Sequence, residues 1–193
     1  MYSSKQLAAG VVLEKFNQEA THRPYSIKKC FKQKARAKAL IDLHAIDEHV
    51  RHVDAAECQQ NAFAAVVIEA STGTTRTAAS VRSAGAEQAE EVAIALAIAD
   101  TDCHTVLSDS RQAVRKFTKG QICRETEPVL RAVKLQDRKG RIKWFPAHAG
   151  DASERNDNHN ETAHAAARAL TNRAPATDRP TWLEGWKLEQ KQL

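Results

Sequence analysis

Asp54, Glu90 and Asp109 are the side chains whose settings point to chemistry. Asp54 ends a short apolar run at 50–53, Glu90 opens an Ala/Ile/Leu-rich helix, and Asp109 follows a further apolar run. Carboxylates arriving from a strand end and a helix start meet only if the fold brings them together. Once together they are costly unless cations lie between them. That arrangement suits a Mg2+ site acting on phosphate esters.

The elements that must position these groups can be read along the chain. Residues 50–53 form a β-prone run, and a polar turn follows at 57–61. Residues 62–68 are strand-like again, 71–73 (Ser-Thr-Gly) read as a hairpin turn, and 74–81, rich in Thr, as the return strand. Three short strands on tight connections imply an antiparallel meander. Residues 86–99 then predict a helix. Glu87, Glu90 and Glu91 sit favourably in its first turns, beside the positive end of the dipole. Its Ala-rich apolar body allows close approach to a sheet. A fourth strand is expected at 105–108, a helix capped by Asp109-Ser110 at 111–117, and a short helix with Pro128 near its first turn at 127–133. A fifth strand follows at 141–145, and a last helix at 161–170 opened by a capping box, Asn158-x-x-Glu161. A meander followed by alternating strands and helices gives an α/β fold with a five-stranded mixed sheet flanked by helices.

With 193 residues, 42% of them hydrophobic, the chain can bury one core plus extra segments. No stretch approaches the ~18–20 consecutive apolar residues that span a bilayer. The N-terminus lacks a continuous apolar signal core, so the chain reads as soluble and intracellular, in the cytoplasm or nucleus. On that reading the sequon at Asn160-Glu161-Thr162 is coincidental. Cys30, Cys58, Cys103 and Cys123 form no Cys-x-x-Cys pair, which fits reduced thiols and argues against structural zinc. Residues 1–47 hold nine Lys/Arg against four Asp/Glu, whereas 48–193 hold twenty of each, so the net charge of +5 lies before Glu48. Within 28–38 there are six basic residues and no acid. That segment is either a solvated connector or a contributor to phosphate binding that attracts a nucleic-acid backbone without reading its sequence. Residues 174–180 read as extended or disordered, and Trp182 and Trp186, one helical turn apart, as a patch over apolar surface.

The order of these elements and motifs resembles the ribonuclease H family (type 1), in the version carried at the end of non-LTR retrotransposon polyproteins. The matches run from about residue 50 to 170. Asp54 matches the family's opening aspartate. Ala89-Glu90-Glu91-Val92-Ala93-Ile94-Ala95-Leu96-Ala97 resembles its helix motif, with Glu90 at the catalytic position and Glu91 as the fallback. Ser108-Asp109-Ser110 is similar to its Thr/Ser-Asp-Ser. Trp144-Phe145-Pro146-Ala147-His148-Ala149-Gly150 and Asn160-Glu161-Thr162-Ala163-His164 resemble its Pro-Gly/Ala-His-x-Gly and Asn-Glu-x-Ala-Asp pair. Each motif is weak alone; five in the right order on the right elements are specific. The chain departs from the pattern at Ala55-Ala56, where the family has Gly-Ser, and at His164, which takes the place of the last aspartate.

The resemblance divides the chain into a basic helical lead-in or connector (1–47), a ribonuclease H-like domain (48–172) and a Pro-containing tail with a short Trp-bearing segment (173–193). It implies hydrolysis of the RNA strand of an RNA–DNA hybrid by two Mg2+ ions, with Asp54 bridging them and Glu90 and Asp109 holding one. Recognition would rest on 2′-hydroxyls in the minor groove. Asn160 either contacts substrate or serves its helix start, and His148 either relays protons or is an ordinary loop histidine. Imidazole at position 164 removes one negative charge from the metal site and favours Mn2+ or softer metals over Mg2+. Three outcomes follow from it: reduced hydrolysis, a preference for Mn2+, or an inactive nucleic-acid-binding relic. The same resemblance makes the chain part of a once longer reverse-transcriptase polyprotein.

Overall fold

The computed structural model describes residues 27–59, 61–133, 139–147, 149, 153–154 and 156–171. In chain order the elements are α1 (Ile27–His44), β1 (Val50–Gln59), β2 (Ala62–Glu69), β3 (Thr75–Arg82), α2 (Ala86–Ala99), β4 (Thr105–Ser108), α3 (Arg111–Lys119), a 3-10 turn (Arg124–Thr126), α4 (Glu127–Arg131), β5 (Arg141–Trp144) and α5 (His159–Thr171). The strands form one mixed sheet in the order β3-β2-β1-β4-β5. β1, β2 and β3 pair antiparallel, while β1–β4 and β4–β5 are parallel. The chain is therefore α/β, with the expected five-stranded mixed sheet and its antiparallel first half. The segments expected at 174–180, Trp182 and Trp186 lie outside the described residues.

Alternation along each strand divides the core into two layers. On one face, Val53, Phe63, Ala65, Val67, Val106, Ile142 and Trp144 pack under α2, α3 and α4. Ala89, Ala93 and Ala97 of α2 are fully buried there, and with no side chain beyond Cβ they let the helix axis lie close to the sheet. On the opposite face Val66 and Ile68 meet Ala163 and Ala167 of α5. Val50, Leu107 and Phe145 meet Ala37, Leu40 and Ile41 of α1, which recur at the i, i+3, i+4 spacing of one helical stripe. The second half of the basic lead-in therefore shares a core with the sheet. β2 is buried along nearly its whole length because both its faces are covered, and it reads as a continuous apolar run.

Several boundaries differ from the sequence expectation. β1 does not end at Asp54. It continues to Gln59, with Asp54 opposite Val66 and Ala55, Ala56 and Glu57 opposite Ala65, Ala64 and Phe63. Alanine and glutamate have little intrinsic preference for strands, but pairing with the apolar β2 carries the extension. The expected turn at 57–61 accordingly shrinks to its far end, where Asn61 takes a left-handed φ of 60°. α5 starts at His159, two residues before the expected start. Asn158 caps it as expected, its Oδ1 accepting from the Asn160 amide at 3.2 Å.

At the β2–β3 turn Gly73 has φ +68°, and a Cβ there would come 2.7 Å from His159 Cε1. Glycine thus permits both the backbone turn and the close approach of α5's first residue. No helix among the described residues is long and apolar enough to cross a membrane.

Under α1 and α5 the sheet buries His52, whose ring lies edge-on to Phe145 at 5.2 Å and 6.4 Å from the His159 ring. Burial, then the neighbouring His159 and His44, push its pKa down from 6.5 to about 3. Between those values the unfolded chain binds a proton that the folded one refuses, so stability falls as pH drops from 6.5 toward 3. The steepest contribution is about 1.4 kcal/mol per pH unit. Urea unfolding at pH 7 and pH 4.5 should show a smaller loss of stability for His52→Phe than for the unmodified chain. An equal loss in both would remove His52 from the acid response.

Candidate metal centre

Strand register brings the first two carboxylates together. The β1–β4 ladder runs from Val50↔Thr105 to Val53↔Ser108, so Asp54 and Asp109 occupy the next rung on adjacent parallel chains. Val53 belongs to the α2-side core and His52 to the other face, so alternation sends Asp54 toward the α5 side. Asp109 stands just beyond β4. The cap of α3 is made by Ser110, whose Oγ accepts from the Ala113 amide at 3.3 Å, and Trp144 Nε1 donates to the Asp109 carbonyl at 3.1 Å. The capping role expected of Asp109-Ser110 thus falls to the serine.

The third group comes from α2. Two adjacent glutamates on a helix point about 100° apart, so only one can face the sheet's end. That one is Glu90, with Oε1 accepting from the Ala55 amide at 3.2 Å. Glu91 faces away, fully buried, taking Lys116 Nζ at 2.9 Å and the Cys123 amide at 2.6 Å. It ties α2 to α3 and the following loop, and the fallback position has no part in the cluster. Asp54, Glu90 and Asp109 each present an oxygen, and these atoms all lie within 4.8 Å of one another.

α5 closes the other side. Asn160 and His164 are one turn apart and so share a helical face. Asn160 Nδ2 donates to Asp109 Oδ2 at 3.4 Å, and His164 Nδ1 lies 2.8 Å from Asp54 Oδ2. A carboxylate oxygen accepts, so Nδ1 carries the hydrogen. His164 is 30% exposed, whereas Asn160 is buried. Of the residues singled out in the sequence, Asp54, Glu90, Asp109, Asn160 and His164 meet in one place. His148 lies outside the described residues.

The electrostatics of this place are unfavourable for the protein alone. Burial, then the charges of Asp54 and Asp109, then a hydrogen bond with Asp54, hold the Glu90 carboxyl well above the usual range, with the Ala55 amide opposing. Glu90 Oε2 and Asn160 Oδ1 are buried with no hydrogen-bond partner. Three clustered carboxylate oxygens and two orphaned acceptors are the donor set a hard divalent cation requires, so the residues fit Mg2+ or Mn2+.

Sequence reasoning did not single out Trp144 as a neighbour of the site. Its indole anchors the Asp109 backbone and lies under the Arg111 guanidinium, 3.7 Å from the ring centroid. The available signal was a tryptophan at the end of the strand parallel to the Asp109 strand. No protein-family model matches the chain, and no curated protein matches it either.

Because the folded state raises the Glu90 pKa, the unfolded chain releases that proton first. The metal-free protein therefore loses stability as pH rises above the ordinary glutamate range toward the raised folded value. Glu90→Gln should stabilise the metal-free chain at pH 7, read as a higher urea midpoint in chelator. Mg2+ or Mn2+ should raise the melting temperature of the unmodified chain and raise that of Glu90→Gln far less. A Glu90→Gln chain that is less stable, with an undiminished metal response, would contradict the like-charge account.

Proposed function

We propose that the chain has a ribonuclease H-like fold and acts as an endoribonuclease on the RNA strand of RNA–DNA hybrids, in a form derived from a retrotransposon. The observation that carries this reading is the convergence of Asp54, Glu90 and Asp109 from β1, α2 and the end of β4. The sheet order and the order of the five motifs along the chain agree with it.

In this reading Asp54, Glu90 and Asp109 hold the divalent cation. Mg2+ or Mn2+ bound there would supply the positive charge that activates water and stabilises the leaving oxygen of a phosphodiester. The Ala55 amide fixes one Glu90 oxygen, and Asn160 steadies the Asp109 carboxylate, so the oxygens are preorganised before substrate arrives. Holding Asp54 Oδ2 is the part of His164. A second cation near Asp54 would compete with that hydrogen bond, so the site is built for one tightly held ion and a weaker second.

The His164–Asp54 contact also favours a second reading, a ribonuclease H-like nucleic-acid-binding module with weakened or lost catalysis. Metal separates the two. An enzyme cleaves the labelled RNA strand of a hybrid when Mg2+ or Mn2+ is added and stops with chelator, whereas a binding module retains the hybrid equally in both.

Asp54→Asn should lower cleavage by at least about 100–1,000-fold, the usual scale for losing one group that stabilises transition-state charge. His164→Asp should leave the rate in Mg2+ intact or raise it, and reduce any preference for Mn2+. Abolition of cleavage by His164→Asp in an active chain would make the imidazole a positive element of catalysis and overturn the ligand-loss account.

A further inference from the structure

We infer that the flank of α1 carrying Lys32 and Arg36, joined to Arg111 through the Trp144 indole, holds the phosphate backbone of a nucleic-acid duplex beside the carboxylate cluster. This deepens the nuclease reading by naming the surface that grips its substrate, and rests on that reading for the hybrid's identity.

α1 contains six Lys/Arg and a single Asp. Its apolar stripe, Ala37, Leu40 and Ile41, is buried, which fixes where the remaining faces point. Helical spacing then separates the described cations into two flanks. Lys32 and Arg36, one turn apart, lie on one side of the stripe, and Lys34 and Lys38 on the other. On the second flank Lys38 is answered within the helix by Asp42 at 3.8 Å.

The first flank is tied to the site. Arg36 Nη2 and Nε donate to the Trp144 carbonyl at 3.2 and 3.4 Å, and its guanidinium carbon lies 5.4 Å from the indole centroid. Arg111, two residues after Asp109, lies over the same indole at 3.7 Å. The indole edge donates to the Asp109 carbonyl.

Both guanidinium groups lie against this one indole, which attracts each of them through its electron-rich ring. The exposed Arg36 guanidinium, held in place through the Trp144 carbonyl, and Lys32 a turn away present charge suited to phosphate oxygens. They also meet a need the cluster creates. Three carboxylates repel a polyanion, and cations placed alongside them restore the attraction. The position beside groups that fit phosphate-ester chemistry favours a nucleic-acid backbone over an acidic polypeptide or an anionic membrane.

The test is fluorescence anisotropy of a labelled RNA–DNA hybrid with the full chain in chelator, across a salt series. Lys32→Gln with Arg36→Gln should weaken binding by about 10-fold near 0.1 M salt and flatten the slope of log affinity against log salt by about 2, one per lost phosphate contact. Lys34→Gln with Lys38→Gln removes the same charge from the other flank and should leave the slope nearly unchanged. Arg36→Lys should restore part of the affinity. Urea midpoints check folding, and Lys32→Gln alone, at an exposed position, carries the test if the double variant is destabilised.

Equal effects from the two flanks, an unchanged slope, or preferential binding of the unmodified chain to phosphatidylserine vesicles or to polyglutamate would each overturn the inference. Hybrid binding with the expected slopes but no cleavage in metal would sink the nuclease reading and leave this surface standing. Metal-dependent cleavage with unchanged slopes would do the reverse.

Discussion

Repulsion among three clustered carboxylates, two of them buried, is the constraint around which the rest of the site is arranged. Asp54 and Glu90 are nearly removed from solvent, and their oxygens stand within 4.8 Å of each other and of Asp109. In a low-dielectric surround such groups are costly to charge together without an answering cation, and the Glu90 carboxyl is held well above its usual range. A fold assembled only for stability would place an amide or an apolar group at one of these positions. The cluster survives because other parts of the molecule hold it in place. The β1–β4 ladder sets two of the groups on neighbouring rungs, the phase of α2 aims the third, and α5 closes the remaining side with Asn160 and His164.

The adjacent pair Glu90 and Glu91 shows how finely that placement is specified. Both are acidic, consecutive and buried, and their surroundings give them opposite tasks. Glu91 is neutralised by Lys116 and the Cys123 amide, so it locks α2 to α3 and the loop beyond. Glu90 receives one backbone amide and two acidic neighbours. Since Glu91 is held from outside the cluster, α2 cannot rotate to relieve the strain on Glu90. A salt bridge outside the cluster thereby keeps the Glu90 carboxylate among its acidic neighbours. Arg51 plays a similar part at the other end of α2. It is almost fully buried and bonded to Asp100 at 2.8 Å, which fixes where the helix stops before β4 begins.

What could be read in advance follows from which forces are local. α2 and β4 matched their expected bounds, because Ala-rich apolar helices and short apolar runs between turn residues are specified by nearby sequence. The meander was legible from its turns. The end of β1 was not, because Ala55, Ala56 and Glu57 join a strand only through pairing with β2, which lies later in the chain. The packing of α1 was hidden for a related reason. Its stripe of Ala37, Leu40 and Ile41 is narrow and set among lysines, so composition suggested a solvated segment while three-dimensional contact made it core. Within the site the residue types announced themselves, but the choice between Glu90 and Glu91 depended on helix phase relative to the sheet. The Trp144–Asp109 contact depended on β4 and β5 being neighbours.

His164 follows from the same electrostatics. A fourth carboxylate at this position would add like charge to a cluster that already raises the Glu90 pKa, and the metal-free fold would be less stable for it. Imidazole instead donates Nδ1–H to Asp54 Oδ2 at 2.8 Å, satisfying one acceptor and adding no negative charge. A cation held there would meet three carboxylates and find one Asp54 oxygen already engaged. Stability of the metal-free cluster and its attraction for a cation would therefore be set against each other by a single side chain. The histidine is 30% exposed, so water can take up its hydrogen bond if it swings aside. His164 thus bears on one carboxylate oxygen and leaves in place the framework of strand register and helix phase that gathers the other groups.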